Sequence, residues 1–117
     1  MSIRFAAMAR LAAVSVAFGA FTSCATLTED QCRGVNWEEL GRQDGAAGYA
    51  SSHIERHRSA CGEHGLPVDE QQWTGGWQQG IRVYCTPQNG LIYGREGRGY
   101  ANSCPIDVKN GFENAYH

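Results

Sequence analysis

The chain has 117 residues, of which 42% are hydrophobic and 10% aromatic, and it contains five cysteines. This length is sufficient for one small domain with a limited core. The formal net charge is −2 and Lys109 is the single lysine, which excludes a broad basic surface for nucleic acid or anionic lipid.

The first part of the chain has the pattern of an export signal. Arg4 and Arg10 precede the apolar run "LAAVSVAFGAF" of residues 11–21. Eleven helical residues extend about 16 Å, roughly half of a ~30 Å hydrocarbon core, so the run is too short for a transmembrane helix. Residues 1–23 are therefore predicted to be a signal peptide.

The end of this run, Phe21-Thr22-Ser23-Cys24, resembles the lipobox of bacterial lipoproteins, in which small residues precede an acylated cysteine. The resemblance implies that Cys24 is lipidated and becomes the mature N-terminus. Lipoboxes usually carry an aliphatic residue where Phe21 stands. The alternative is ordinary signal-peptidase cleavage at the small-x-small pattern Ser23-Cys24-Ala25, which would release a soluble periplasmic protein. Ala25 in place of Asp resembles the sorting signal for the periplasmic face of the outer membrane.

The number of cysteines agrees with lipidation, because an odd cysteine is unusual in an exported protein. Acylation of Cys24 leaves four cysteines for two disulfides: Cys32, Cys61, Cys85 and Cys104. Residues 24–35 are predicted to be a lipidated N-terminus and tether, and residues 36–117 a small disulfide-linked domain.

A helix is predicted from Trp37, because Asn36 and Glu39 have the spacing of a capping box. Its apolar stripe continues to Cys61, with Gly62 and Pro67 as stop signals. A second stripe of small residues, Gly41, Gly45, Gly48 and Ser52, would leave a shallow groove. The alternative is two short helices joined at a glycine kink.

A second helix is predicted after Asp69, with a face formed by Trp73, Trp77, Ile81 and Tyr84. These bulky side chains are expected to fill the glycine groove in an antiparallel pair. Residues 87–104 are predicted to be irregular or a small hairpin, followed by a short helix capped by Asp107. The predicted fold is mainly α: an antiparallel helical hairpin with a glycine-rich irregular segment and a short C-terminal helix.

The pairing of the cysteines follows from this arrangement. A single helix over residues 37–61 places its ends about 36 Å apart, whereas a disulfide needs Cα atoms within about 7 Å. Cys32–Cys61 is then excluded unless the helix breaks sharply at its glycines. Antiparallel packing predicts Cys32–Cys85 and Cys61–Cys104.

Two groups of residues are candidates for chemistry. Asp44 falls on the core-facing stripe, where it is either a partly buried catalytic carboxylate or a structural acceptor for a Trp N–H, a Tyr hydroxyl or backbone amides. His53 and His57, one turn apart, can bind zinc or copper together with a Cys61 thiolate. The alternative is that Cys61 is oxidised and the histidines are solvated.

No catalytic constellation is recognised, and no cofactor is predicted. The segment "GREGRGY", residues 94–100, lacks the lysine and the preceding strand of a phosphate-binding loop. Arg95 and Arg98 in this loop are either solvated or available to an anionic partner such as a peptidoglycan carboxylate.

Taken in order, Cys32, "WEELGRQDGAAG", Cys61, "GIRVYC", "GREGRGY" and Cys104-Pro105 resemble a family of proteobacterial lipoproteins known as a domain of unknown function. The resemblance implies an envelope location and no established activity. The expected function is a non-enzymatic binding or structural module whose partner is an envelope protein or peptidoglycan. The alternative is a periplasmic metal-binding protein or enzyme that uses Asp44 or His53 and His57.

Overall fold

A computed structural model describes residues 26–117, and the predicted signal peptide and Cys24 lie outside this range. The described residues form six α-helices, one 3-10 turn and no strand, so the prediction of a mainly α fold is confirmed. The α-helices are α1 (Glu29–Gly34), α2 (Trp37–Ala46), α3 (Ile54–Gly62), α4 (Glu70–Tyr84), α5 (Pro87–Arg95) and α6 (Ile106–Tyr116), and the 3-10 turn spans Ser51–His53. Within residues 26–117, every helix is too short or too polar to cross a bilayer.

The segment before α2 belongs to the folded domain. Thr28 begins α1 with a capping box, in which its hydroxyl accepts from the Gln31 N–H and its own N–H donates to the Gln31 side chain. Leu27 and Cys32 are buried. The prediction that residues 24–35 form a tether is therefore wrong for residues 26–35.

The predicted single helix over residues 37–61 is also wrong, because α2 ends in a Schellman motif at Gly48. Gly48 has a φ of 90°, its N–H donates to the Gly45 carbonyl, and the Tyr49 N–H donates to the Asp44 carbonyl. Glycine adopts this left-handed conformation without a steric penalty. The chain turns here, passes through the 3-10 turn and returns along α3.

The same type of helix end occurs twice more, at Gly65 after α3 and at Gly97 after α5. Their φ angles are 69° and 67°, and in each case the following N–H donates to a carbonyl five residues earlier. The predicted stop at Gly62 is thus three residues early, since Gly62 is the last residue of α3.

Helices α2 and α4 pack side by side in the parallel direction. A Cβ atom at Gly45 would lie 2.5 Å from the Trp77 carbonyl oxygen and 2.6 Å from the Ile81 nitrogen, and Gly41 meets the Trp73 and Trp77 backbone one turn earlier in both helices. The predicted antiparallel hairpin is wrong because α3 carries the chain back to the end where α2 starts.

The groove prediction is corrected as well, because glycines on both helices bring the two backbones into direct contact. Gly76 of α4 lies against the Glu38 carbonyl, and Gly80 lies against the Arg42 carbonyl. The aromatic side chains of α4 do not cover Gly41 and Gly45, whereas the Tyr84 ring packs against Gly48 as predicted. Trp73 packs beside the glycine stripe in a fully buried position.

The glycine-rich segment predicted to be irregular contains helix α5. Thr86 caps it by accepting from the Asn89 N–H, and Pro87 occupies the first turn. This helix pairs with α6, again in parallel, through Gly90 and Gly94, which lie against the carbonyls of Phe112 and Tyr116.

The predicted cap of the last helix is wrong. Pro105 is the residue before α6, and the Asp107 carboxylate instead pairs with Arg82 at 2.7 Å.

The Tyr100 hydroxyl donates to the carboxylate of Glu113, a residue of α6. Burial and this hydrogen bond raise the pKa of Tyr100 to about 12.

All four cysteines of the described region are in disulfides, but the predicted pairing is wrong. The bonds are Cys32–Cys61 and Cys85–Cys104, with Cα atoms 5.6 Å and 5.7 Å apart. The turn at Gly48 lets α3 bring Cys61 back to Cys32. Parallel packing carries Cys85 to the opposite end of α2, where it meets Cys104.

Candidate functional site: an aspartate and two histidines

The turn at Gly48 brings together three side chains that are distant in sequence. His53 and His57 follow Asp44 by nine and thirteen residues. Asp44 lies in the last turn of α2, His53 ends the 3-10 turn, and His57 lies in α3. One ligand atom from each of the three residues lies within 4.8 Å of the others. The group is hereafter called the Asp/His cluster.

Asp44 is buried, with 8% of its surface exposed, and its carboxylate has two hydrogen-bond partners. The Trp73 Nε1–H donates to Oδ2 at 2.9 Å, and His57 Nε2 lies 2.7 Å from the same oxygen. Asp44 is therefore on the buried face where the sequence placed it, and a tryptophan N–H is one of its donors.

His57 is 2% exposed, so the expectation that it is a solvated surface residue is wrong. Its Nε2 faces Asp44, and its Nδ1 lies 2.6 Å from the Thr26 hydroxyl. Both ring nitrogens thus have protein partners, which fixes the orientation of the imidazole.

His53 lies at the edge of the cluster. Its Nε2 is 4.0 Å from Asp44 Oδ1, and its ring stacks on Tyr49 with centroids 4.0 Å apart. Desolvation lowers the pKa of His53 below its ordinary value, while the Asp44 carboxylate opposes the shift. The ring is consequently neutral at neutral pH.

A cavity of about 430 Å³ opens beside the cluster. It is lined by Thr26, Leu27, Leu40, Asp44, Tyr49, His53, Arg56 and His57. The cluster is therefore reached from this cavity, on the face of the domain that carries Thr26 and Leu27.

The other residues singled out in the sequence lie elsewhere. Cys61 is bonded to Cys32 and supplies no thiolate to the histidines. His64 lies 3.5 Å from Glu29, away from the cluster. Arg98 covers the Tyr93 ring at 4.1 Å, in the loop that follows α5.

Three contributors to the site were not assigned to it from the sequence: Thr26, Tyr49 and Trp73. Thr26 lies in the segment interpreted as a tether, where nothing in the pattern links it to a histidine 31 positions away. Trp73 belongs to the recognised aromatic face of α4, but its indole N–H is matched to Asp44 only once α2 and α4 are known to be parallel. Two features of the sequence did indicate the site: the i, i+4 spacing of the histidines and the position of Asp44 on the core-facing stripe.

Residues 36–117 match the model of a family described as a protein of unknown function, DUF2799. The chain belongs to this family. The matched region includes α2 to α6 and the whole Asp/His cluster, and the resemblance to a domain of unknown function is confirmed. No curated protein and no solved structure matched the chain significantly.

Proposed function

We propose that the protein is a cell-envelope lipoprotein, anchored through Cys24 at the periplasmic face of the outer membrane. The observation that carries the proposal is that the residues which follow the predicted anchor, from Thr26 onward, belong to the folded domain. Thr26 already contacts His57, and Leu27 is buried in the core. Only Ala25 lies between Thr26 and Cys24 in the sequence, so an acyl group on Cys24 would hold the domain directly at the membrane surface.

An anchor at this position would hold the domain close to the membrane. Two residues span at most about 7 Å, so Thr26 would lie within that distance of the acylated Cys24. The cavity beside the Asp/His cluster includes Thr26 and would lie on the membrane-proximal side. Two disulfides within a domain of this size support an oxidising compartment such as the periplasm.

The domain itself is proposed to be a non-enzymatic binding or structural module. This is supported by the way its buried polar groups satisfy one another: Asp44, His57 and Trp73 form one hydrogen-bonded group. The partner is an envelope protein or peptidoglycan, and co-sedimentation with purified sacculi separates these two possibilities.

Lipidation is tested by the intact mass of protein extracted from bacterial membranes. The expected product lacks residues 1–23 and carries added acyl mass on Cys24. A Cys24→Ser variant is the matched control and should lose both the acyl mass and the membrane association. A soluble wild-type product that begins at Thr26 would show that the ordinary signal-peptidase alternative is correct.

A further inference from the structure

We propose that the Asp/His cluster is a binding site for one borderline transition-metal ion, Zn²⁺ or Cu²⁺. Its ligands are the Asp44 carboxylate and the Nε2 atoms of His53 and His57, which face that carboxylate. The three ligands lie in α2, the 3-10 turn and α3, outside the segment that carries the proposed lipid anchor.

The spacing of the three ligands suits such an ion. Zinc bonds to nitrogen and oxygen are about 2.0–2.2 Å long, so neighbouring ligands of a tetrahedral ion are roughly 3.3 Å apart. The observed separations from the Asp44 oxygens are 2.7 Å to His57 and 4.0 Å to His53, which lie on either side of that value. All three ligand atoms lie within 4.8 Å of one another, so small side-chain rotations would bring them to bonding distance.

Two of the ligands have a further hydrogen-bond partner in the protein, as metal ligands usually do. The Thr26 hydroxyl is 2.6 Å from His57 Nδ1, and the Trp73 indole donates to Asp44. A hydroxyl can either donate or accept, so Thr26 can take the Nδ1–H of the tautomer whose Nε2 bears the metal. The proton on His57 then lies on Nδ1, and the ion replaces the hydrogen bond between His57 and Asp44.

The cavity supplies the remaining coordination position. It adjoins all three ligands and leaves room for water or a small ligand on the open side of the ion. Three protein ligands with one open position leave the ion accessible to an exogenous ligand, whereas structural zinc sites are closed by four protein ligands.

The donor set also selects the type of metal. Two imidazoles favour Zn²⁺ and Cu²⁺, whereas Mg²⁺ and Ca²⁺ prefer sites made of oxygen ligands. Arg56 lines the same cavity, and its positive charge disfavours a cation held by electrostatic attraction alone. Bonds to the imidazole nitrogens compensate for this repulsion only for the borderline metals.

The test is calorimetric titration of the full protein, purified without a histidine tag, with disulfides intact and previously treated with a chelator. Zn²⁺ is expected to bind at one ion per chain. His53→Ala removes a ligand and should raise the Kd by more than about 100-fold. Thr26→Val removes only the hydrogen-bond partner of a ligand and should raise the Kd by about tenfold. His64→Ala is the matched control, because His64 lies outside the cluster, and it should leave the Kd unchanged.

Far-UV circular dichroism establishes that each variant is folded, and His53→Gln replaces His53→Ala if the alanine variant is not. The proposal is overturned if the wild-type protein shows no Zn²⁺ binding below about 1 mM. It is also overturned if the folded His53 variant binds as the wild type does, or if Ca²⁺ binds as tightly as Zn²⁺.

Discussion

Asp44 connects the backbone turn to the candidate site. Its main-chain carbonyl accepts from the Tyr49 N–H in the motif that ends α2, while its buried carboxylate accepts from Trp73 and contacts His57. A buried carboxylate is costly unless its oxygens are paired. The three contacts of Asp44 therefore form only when the turn at Gly48, the α2–α4 contact and the position of α3 are all in place.

Replacing Asp44 separates the need for an acceptor from the need for a charge. Asp44→Asn can place its amide oxygen at the position of Oδ2, where it still accepts from the Trp73 Nε1–H and from an Nε2–H of His57, so most of the stability should remain. Asp44→Ala leaves buried partners unpaired and should lower the free energy of unfolding by about 1–3 kcal/mol, measured by urea denaturation.

Glu63→Ala is the control for this experiment, because Glu63 is an exposed acid and its loss should change the stability by less than about 0.5 kcal/mol. If both Asp44 variants unfold like the wild type, the buried hydrogen-bonded group contributes nothing measurable and this account of Asp44 is incorrect.

At the scale of the elements, the residues that cap the helices were easier to predict from the sequence than the relative directions of the packed helices. Asn36 and Asp69 cap α2 and α4 as their spacing indicates. Helix α5 was missed although Thr86 followed by Pro87 is a start signal, because the same pair also ends the preceding helix and the later glycines lower helix propensity.

The parallel direction of α2 and α4 could not be read from periodicity, because it depends on where the chain turns between them. The pattern shows Gly48 as one of several glycines on one stripe. Only its φ of 90° distinguishes it from Gly41 and Gly45, which remain helical. One backbone angle therefore decided the helix direction, the disulfide pairing and the formation of the Asp/His cluster.

Glycine pairs spaced four residues apart mark the helix contacts on three helices. Gly41 and Gly45 of α2, Gly76 and Gly80 of α4, and Gly90 and Gly94 of α5 each lie against the backbone of a neighbouring helix. Each helical glycine costs about 0.8–1 kcal/mol relative to alanine. Close packing of the backbones offsets this cost.

Adjacent glycines in α4 provide a matched test of this packing. Gly76→Ala would place its Cβ against the Glu38 carbonyl, and this overlap should lower the free energy of unfolding by about 1–3 kcal/mol. A Cβ at Gly75 meets nothing within 4 Å, so Gly75→Ala should raise the stability by about 0.5–1 kcal/mol through helix propensity alone. Thermal or urea unfolding of the two variants measures the difference, and shifts of the same sign would contradict a backbone contact at Gly76.

At the scale of the whole molecule, the domain contains two small hydrophobic cores, each associated with one disulfide. The first core includes Cys32–Cys61 and Trp73, and the second includes Cys85–Cys104 and Phe112. Trp77 packs against both cores. The Ser103 hydroxyl also donates to the Gly48 carbonyl at 2.8 Å, which joins the second half to the turn that ends α2.

Each disulfide therefore closes a loop within one half of the domain. The loops span 29 and 19 residues, which correspond to about 3.5 and about 3 kcal/mol of stabilisation by the loop-entropy model. The sequence could supply the number of bonds but not their partners, because four cysteines allow three pairings.

The pairing is decided by tryptic peptide mapping without reduction, with free thiols blocked beforehand. Cleavage after Arg33, Arg58, Arg82, Arg95, Arg98 and Lys109 places the four cysteines on separate peptides, with Cys61 in residues 59–82, Cys85 in 83–95 and Cys104 in 99–109. Cys24 shares a peptide with Cys32, so the Cys24→Ser variant removes that ambiguity. The structure predicts that the peptide ending at Arg33 is joined to 59–82, and 83–95 to 99–109. A bond between the peptide ending at Arg33 and 83–95 would require Cys85 to lie near the start of α2, and would therefore contradict the parallel packing of α2 and α4.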